Sequence, residues 1–301
     1  MDRAIIEAAI GATTMADANQ VEALIASAIG QRYSRPLFDT PDNYGAVTGG
    51  SGSYDHKAVE PVTNMQDSVL ELEALKRFGS LEAVPYKSPL EAARNLFAGK
   101  PYAELAQKIR VEIRDSDPPT GRSKRVTIVF RDNGRGVTAD EIPNTLFGLR
   151  STKKELSWQQ GAFGIGGKTT YRNAGAVVLV SRRAPEALGP QDEDRIAVAV
   201  LQWEFKGKTQ TASYLVTKQW SKPGDEAPVF SVPATSFPSF EPGVHLALIS
   251  YGVEHIHVGN FADERSLYTL LNTRLFEPVL PVRLDHFSRA DQNLRGLRKR
   301  L

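Results

Sequence analysis

The sequence predicts an α+β fold: a two-layer helix-on-sheet sandwich with a helical extension at its N-terminus. Three observations predict it. β-branched and aromatic runs recur at Ala176 to Ser181, Ile196 to Phe205, Thr211 to Thr217 and Val244 to Ser250, with turn-rich segments between them. Two further strand-like runs, Ile109 to Ile113 and Arg125 to Phe130, come before these. Apolar residues at helical spacing fill residues 2 to 30 and the segment from Ala58 to Leu72.

Taken in order, residues 2 to 30 read as two helices, with Asp17 and Asn19 as candidate caps between them. Ser34 to Lys57 is rich in Gly, Ser, Pro and Asp and reads as a long loop. Next comes a helix in which Ala58, Val59, Val62, Met65, Val69, Leu70 and Leu72 provide apolar cover. Glu60, Asn64 and Asp67 share its polar face. Proline is tolerated in the first helical turn, so Pro61 predicts that Glu60 stands at the helix start. Residues 69 to 108 read as a helical insertion ahead of the strand 109 to 113. Pro223, Pro228, Pro233, Pro238 and Pro242 argue against regular structure from Lys222 to Gly243. Glu264 to Phe276 reads as an amphipathic helix, followed by Pro278, Pro281 and the basic end Arg295 to Arg300.

Composition narrows the function classes. The chain has 301 residues, enough for one substantial core and a smaller appendage. Its 37 basic and 35 acidic residues leave a net charge of +2, which gives no bulk attraction to nucleic acid. The lack of cysteine excludes disulfides and thiolate metal sites. No apolar run has membrane-spanning length, and residues 1 to 7 lack the basic-then-apolar form of a signal peptide, so a cytoplasmic location is expected.

Two glycine-rich stretches carry the functional signal. Asp132-Asn133-Gly134-Arg135-Gly136 follows the strand 125 to 130 and places an acidic residue at a strand end, beside glycines that let a ligand approach the backbone. Gly161-Ala162-Phe163-Gly164-Ile165-Gly166-Gly167 is the second. Ala162 to Thr169, with Lys168, also fits a loose phosphate-binding P-loop, but residues 153 to 160 are polar and unlike the buried strand such a loop needs. With the polar face of Glu60, Asn64 and Asp67, these stretches suggest a nucleotide pocket. An Asn carbonyl suits a hard cation such as Mg²⁺, and a nearby Glu suits proton acceptance from an attacking water.

In their order along the chain, the three elements resemble the boxes of the GHKL, or Bergerat-fold, ATPase superfamily. That group includes DNA gyrase B subunits, heat-shock ATPase chaperones, MutL, histidine-kinase catalytic domains and the MORC proteins. The resemblance covers roughly residues 55 to 250. It implies an ATP-binding domain over 55–252 with a lid at about 137–167; outside it, the sequence reads as an N-terminal helical arm and flexible loop over 1–54 and a C-terminal helical extension over 253–301. It implies that Asp132 accepts from the adenine amino group, that Gly134 and Gly136 make room for the base, and that Arg135 flanks it. Asn64 would hold Mg²⁺, Glu60 would orient or deprotonate the attacking water, and Asp67 would support the base through water. Gly161, Gly164, Ile165, Gly166 and Gly167 would receive the phosphates on backbone N–H groups, with Lys168 adding charge.

The implied activity is Mg-ATP binding with slow hydrolysis, with ATP and Mg²⁺ as cofactors. Lid closure would favour a homodimer, and the alternative is a nucleotide-gated module without meaningful turnover. Relatives supply a phosphate-binding Lys from a further domain; here a partner or further domain, or Lys153, Lys154 or Lys168, would do so.

The sequence departs from the family pattern in three places. Ser68 stands where gyrase-like members carry the acidic partner of the second-box Arg, Val244 stands where a Thr is usual, and Pro61 follows the presumed base. Glu91 and Asn95 form a rival first box, nearer Asp132 in sequence but with Ala98 in place of Asp. The pair His255 and His257, as metal ligands, and the tail Arg295 to Arg300, as a nucleic-acid contact, are weaker signals. The N-terminal helices either reach over a partner's pocket or pack on their own domain.

Overall fold

The computed structural model describes residues 1–40, 54–118, 125–148, 156–160, 170–206, 209–252, 266–275, 277–286, 289–294 and 296. Among the described residues, six helices and ten strands build the fold, the helices being α1 Asp2–Gly11, α2 Met15–Ile29, α3 Tyr54–Phe78, α4 Pro89–Leu96, α5 Tyr102–Leu105 and α6 Leu267–Arg274. The ten strands are β1 Tyr33–Pro36, β2 Ile109–Asp115, β3 Arg125–Asp132, β4 Ala176–Arg182, β5 Arg195–Lys206, β6 Thr209–Val216, β7 Phe230–Pro233, β8 Gly243–Gly252, β9 Val282–His286 and β10 Arg289–Leu294. They lie in the order β1-β6-β5-β4-β8-β3-β2-β9-β10, with β7 beside β5. Neighbours are antiparallel apart from β2 and β9, which run parallel. The chain is thus a mixed α/β protein of the α+β kind.

Strand alternation divides the core. Val111, Ile113, Ile128, Phe130, Val177, Leu179, Leu246 and Leu248 project to one face, where they meet Val62, Met65, Val69 and Leu70 of α3 and Leu271 of α6. Val129, Val178, Val180, Val198, Ala247 and Ile249 project to the other, where Ile5, Ile6, Ala9, Val21 and Ile25 cover them. Both faces are therefore buried, and the expected two layers are three. The N-terminal helices are not an arm reaching outward but the cover of their own sheet, because a face this apolar must be shielded from water.

The connection between α1 and α2 shows how that cover is fixed. Thr14 caps α2 and Asp17 reaches back in a capping box, so Asp17 caps as the third residue of the helix and Asn19 takes no part. The Thr13 carbonyl accepts from Ser116 Oγ at 2.7 Å and Thr127 Oγ1 at 2.6 Å, tying the turn to β2 and β3.

Four local expectations need correction. Pro61 lies inside α3, which begins at Tyr54, so Glu60 is in the body of the helix. The ring removes one N–H from the helical ladder, a cost offset by the buried apolar stripe that follows. Residues 34 to 39, expected as loop, belong to β1 and a 3-10 turn, and residues 230 to 233, expected as irregular, form β7. Both strands end in proline and each has one neighbour in the sheet, where the missing N–H is tolerated. The C-terminal segment is not helical throughout: β9 and β10 extend the sheet beyond β2. Among the described residues, no helix is long and apolar enough to cross a membrane.

If α1 is core and not an arm, Ile6→Ala should lower unfolding stability by about 2–5 kcal/mol. Chemical denaturation checks this, and a loss below about 1 kcal/mol would contradict the packing.

Candidate functional site

The last residue of β3 sets the site. Asp132 is in register with Val244 of β8 and with Ile109 of β2, and alternation turns its side chain toward α3. It is 4% exposed. Ser68 Oγ on α3 donates to Asp132 Oδ1 at 3.0 Å and Gly134 N donates to the same oxygen at 2.9 Å. The Val244 backbone N–H is a further donor. Arg135 N donates to the Ser68 carbonyl at 2.9 Å, so helix and turn are knotted through both backbone and side chain.

The glycines of this turn answer a spatial demand. A Cβ at Gly134 would run into Ser68, and one at Gly136 would run into the Arg182 carbonyl. Gly136 also has φ of 64°, a left-handed conformation costly for other residues.

One turn along α3 from Ser68, Glu71 joins two segments. Arg135 Nη1 donates to Glu71 Oε2 at 3.2 Å and Gln159 Nε2 donates to Glu71 Oε1 at 2.7 Å. The carboxylate partner of Arg135 is thus present, displaced by three residues from Ser68. Asp67 is fully buried and accepts from Gln160 N with Oδ1 at 3.0 Å and Oδ2 at 3.1 Å. Its carboxylate holds the chain at residue 160.

Glu60 and Asn64 continue the same stripe toward the start of α3, Glu60 half-buried and Asn64 exposed. Burial, with the Glu60 charge adding to it, pushes the Tyr171 phenol well above its ordinary range. At the far side, Arg183 is 4% exposed and paired with Glu141, and Ala184 N donates to the Arg135 carbonyl at 2.9 Å. Burial and the like charge of Arg135 push the Arg183 guanidinium down to about 10, so it stays cationic at neutral pH.

Asp132 itself is held up to about 7. Burial raises it, while the hydrogen bonds from Ser68, Gly134 and Val244 pull against burial without winning. A carboxylate so poised, at a strand end beside two glycines, can accept from a planar polar donor and gains energy when that donor replaces lost solvation.

The structure therefore brings Asp67, Ser68 and Glu71 together with Asp132, Gly134 and Arg135, with Gly136 at the end of the same turn. It does not do so for the rival box. Glu91 Oε2 accepts from Lys87 N at 3.0 Å and Asn95 Nδ2 donates to the Glu91 carbonyl at 2.8 Å, so both side chains serve α4 itself. Gly161, Gly164, Ile165, Gly166, Gly167 and Lys168 lie outside the described residues, as do Lys153, Lys154, His255, His257 and the basic residues Arg295, Arg298, Lys299 and Arg300. Among the described residues, no group of three or more His, Cys, Asp or Glu is arranged to hold a metal ion.

Sequence reasoning missed Glu71, Gln66, Gln159, Gln160 and Arg183. Glu71 carried a usable signal, since it lies four residues after Asp67 and seven after Asn64 on one helical stripe. The other four carried none.

A buried imidazole opposes Asp132 from the other side of the sheet. His245 on β8 has no exposed surface, and among the described residues neither ring nitrogen has a hydrogen-bond partner. Burial, aided by Arg114 and Arg131, holds it down to about 3. The chain matches no protein-family model and no curated protein.

These two groups give opposite pH slopes. Asp132 has a folded value of about 7 against an ordinary 3.8, so between these values the native state holds a proton the unfolded chain lacks, and stability falls as pH rises. His245 has a folded value of about 3 against 6.5, so the unfolded chain takes the extra proton and stability falls as pH drops. Over the shared window the slopes cancel. Asp132→Asn should therefore make stability drop on acidification from about 6.5 toward about 4, and His245→Leu should make it rise on acidification from about 7. Urea midpoints across pH check this; parallel profiles for the two variants would contradict it.

Proposed function

We propose that the chain binds Mg-ATP in a GHKL-type pocket and hydrolyses it slowly, so that nucleotide state becomes a conformational signal. The observation that carries this reading is the buried Asp132 carboxylate at the end of β3, bonded to α3 through Ser68 and flanked by two glycines that leave no room for side chains. A carboxylate there accepts the 6-amino group of adenine, and Gly136 gives the flat base access to the backbone. Arg135, anchored by Glu71, offers a planar guanidinium to its edge or face.

Asn64, exposed on the α3 stripe and bearing an amide oxygen, fits Mg²⁺, which takes few protein ligands and keeps waters and phosphate oxygens. The cation would supply charge neutralisation at the phosphates. Glu60, one helical turn before Asn64, is placed to orient or deprotonate water. The glycine stretch 161 to 167 and Lys168 would receive the phosphates. Asp67 acts here by holding residue 160, next to that stretch, rather than by touching the base. ATP-driven homodimerisation and a cytoplasmic setting complete the reading.

A second reading, nucleotide-gated interaction without meaningful turnover, draws on one observation: Pro61 sits beside Glu60 inside α3.

Calorimetry with Mg²⁺ and ATP tests the reading. Asp132→Asn should weaken binding about 10- to 100-fold, the worth of a hydrogen bond to a charged group, while Lys168→Ala weakens it less. Unchanged binding in Asp132→Asn contradicts the adenine anchor, and abolished binding in Lys168→Ala alone would favour a P-loop. Glu60→Ala should stop phosphate release with ATP still bound; release at the native rate would leave the gating reading.

A further inference from the structure

Gln66 on α3 has no exposed surface, and its amide is shared between two segments far apart in sequence. Its Oε1 accepts from Gln160 Nε2 at 3.1 Å, and its Nε2 donates to the Leu280 carbonyl at 3.0 Å. The next residue, Asp67, accepts the backbone N–H of the same Gln160. Gln160 follows Gln159, which bonds Glu71 and through it Arg135. Leu280 precedes β9, which pairs with β2 at the edge of the sheet carrying Asp132.

These contacts are hard to separate. A buried polar group left without a partner costs about 1–3 kcal/mol, and a charged one more. Withdrawing residue 160 from α3 would take from the Gln66 carbonyl its donor, Gln160 Nε2. Gln66 has no exposed surface, so it regains a partner for Oε1 by swinging its amide, which gives up Leu280. The arrangement has two satisfied forms, fully joined or fully released, and little between them.

We propose that Gln66 is a coupling residue that ties the position of residues 158–160 to that of residues 277–286, so that displacement of the first segment releases the second. It touches no reacting group and acts through its neighbours. In the ATP reading, which this extension borrows only for its trigger, nucleotide beside Arg135 shifts the Gln159 and Gln160 contacts, and Leu280 carries the change to β9. The coupling itself exists with or without ligand.

Hydrogen exchange on the full chain, first without nucleotide, tests it. Gln160→Ala should raise exchange of the amides in 277–286 about tenfold, the scale of one buried hydrogen bond. In a Gln66→Met background, which keeps the bulk and removes the amide, Gln160→Ala should add nothing further there. Unchanged exchange in 277–286 on Gln160→Ala, or equal increments in both backgrounds, would overturn the proposal. If Gln66→Met does not fold, the single variant decides, with α1 as reference: a rise in 277–286 that α1 does not share supports coupling, and a rise shared with α1 refutes it. Mg-ATP should then change exchange at 158–160 and 277–286 together in the native chain. A change at the first alone refutes the coupling, whereas no binding at all counts against the nucleotide reading and leaves the ligand-free result to stand.

Discussion

Everything at the site depends on where α3 crosses the end of β3. Ser68 gives its hydroxyl to Asp132 and its carbonyl to Arg135 N, so one helical residue fixes both the carboxylate and the turn after it. The contact buries a group that prefers water, and that burial holds the Asp132 carboxyl above its ordinary range. The glycines follow from this closeness, because the helix lies against Gly134 and the β4 end lies against Gly136. Gln159 and Gln160 follow as well: once α3 is pinned, Asp67 and Glu71 stand where they hold that segment. Whatever enters beside Asp132 meets a surface already fixed on three sides.

The apolar parts of the fold were readable because period decides burial. The strands at 109, 125, 176, 196, 211 and 244 alternate or run apolar, and α3 keeps its stripe through Val62, Met65 and Val69 in spite of Pro61. Where reading failed, a tertiary contact had overridden a local preference. Pro233 and Pro36 mark chain breaks in sequence, yet each closes a strand that has one partner. The N-terminal pair looked detachable because nothing local says that the second face of the sheet is as apolar as the first. Val178, Val180 and Ala247 say so only once alternation is laid on a known register.

The site divides in the same way. Asp132, Gly134 and Gly136 were legible because carboxylate and glycine at a strand end is a chemically narrow pattern. Glu71 was overlooked as an Arg135 partner since the expected position was Ser68, and a shift of three residues keeps the same helical face. Gln66, Gln159 and Gln160 are ordinary polar residues until α3 and the Leu280 segment converge on them. The resemblance gave Asp67 a role reached through water, and its bond from Gln160 N shows only once the fold brings residue 160 against α3. The placing of buried Asp132 and His245 on opposite faces of one end of the sheet is invisible in sequence, since only register shows that β3 and β8 set Arg131 against His245 and Asp132 against Val244.

The account rests on Asp132 as an acceptor aimed at an amino group on a planar base. Equilibrium binding of ATP and GTP to the native chain with Mg²⁺ is its most direct test, because the two differ at that position: an amino donor in one, a carbonyl acceptor in the other. ATP should bind at least about tenfold tighter, the scale of a hydrogen bond to a charged group set against an acceptor facing an acceptor, and Asp132→Asn should erase the preference. Equal affinities, or a preference that survives in Asp132→Asn, would contradict the account.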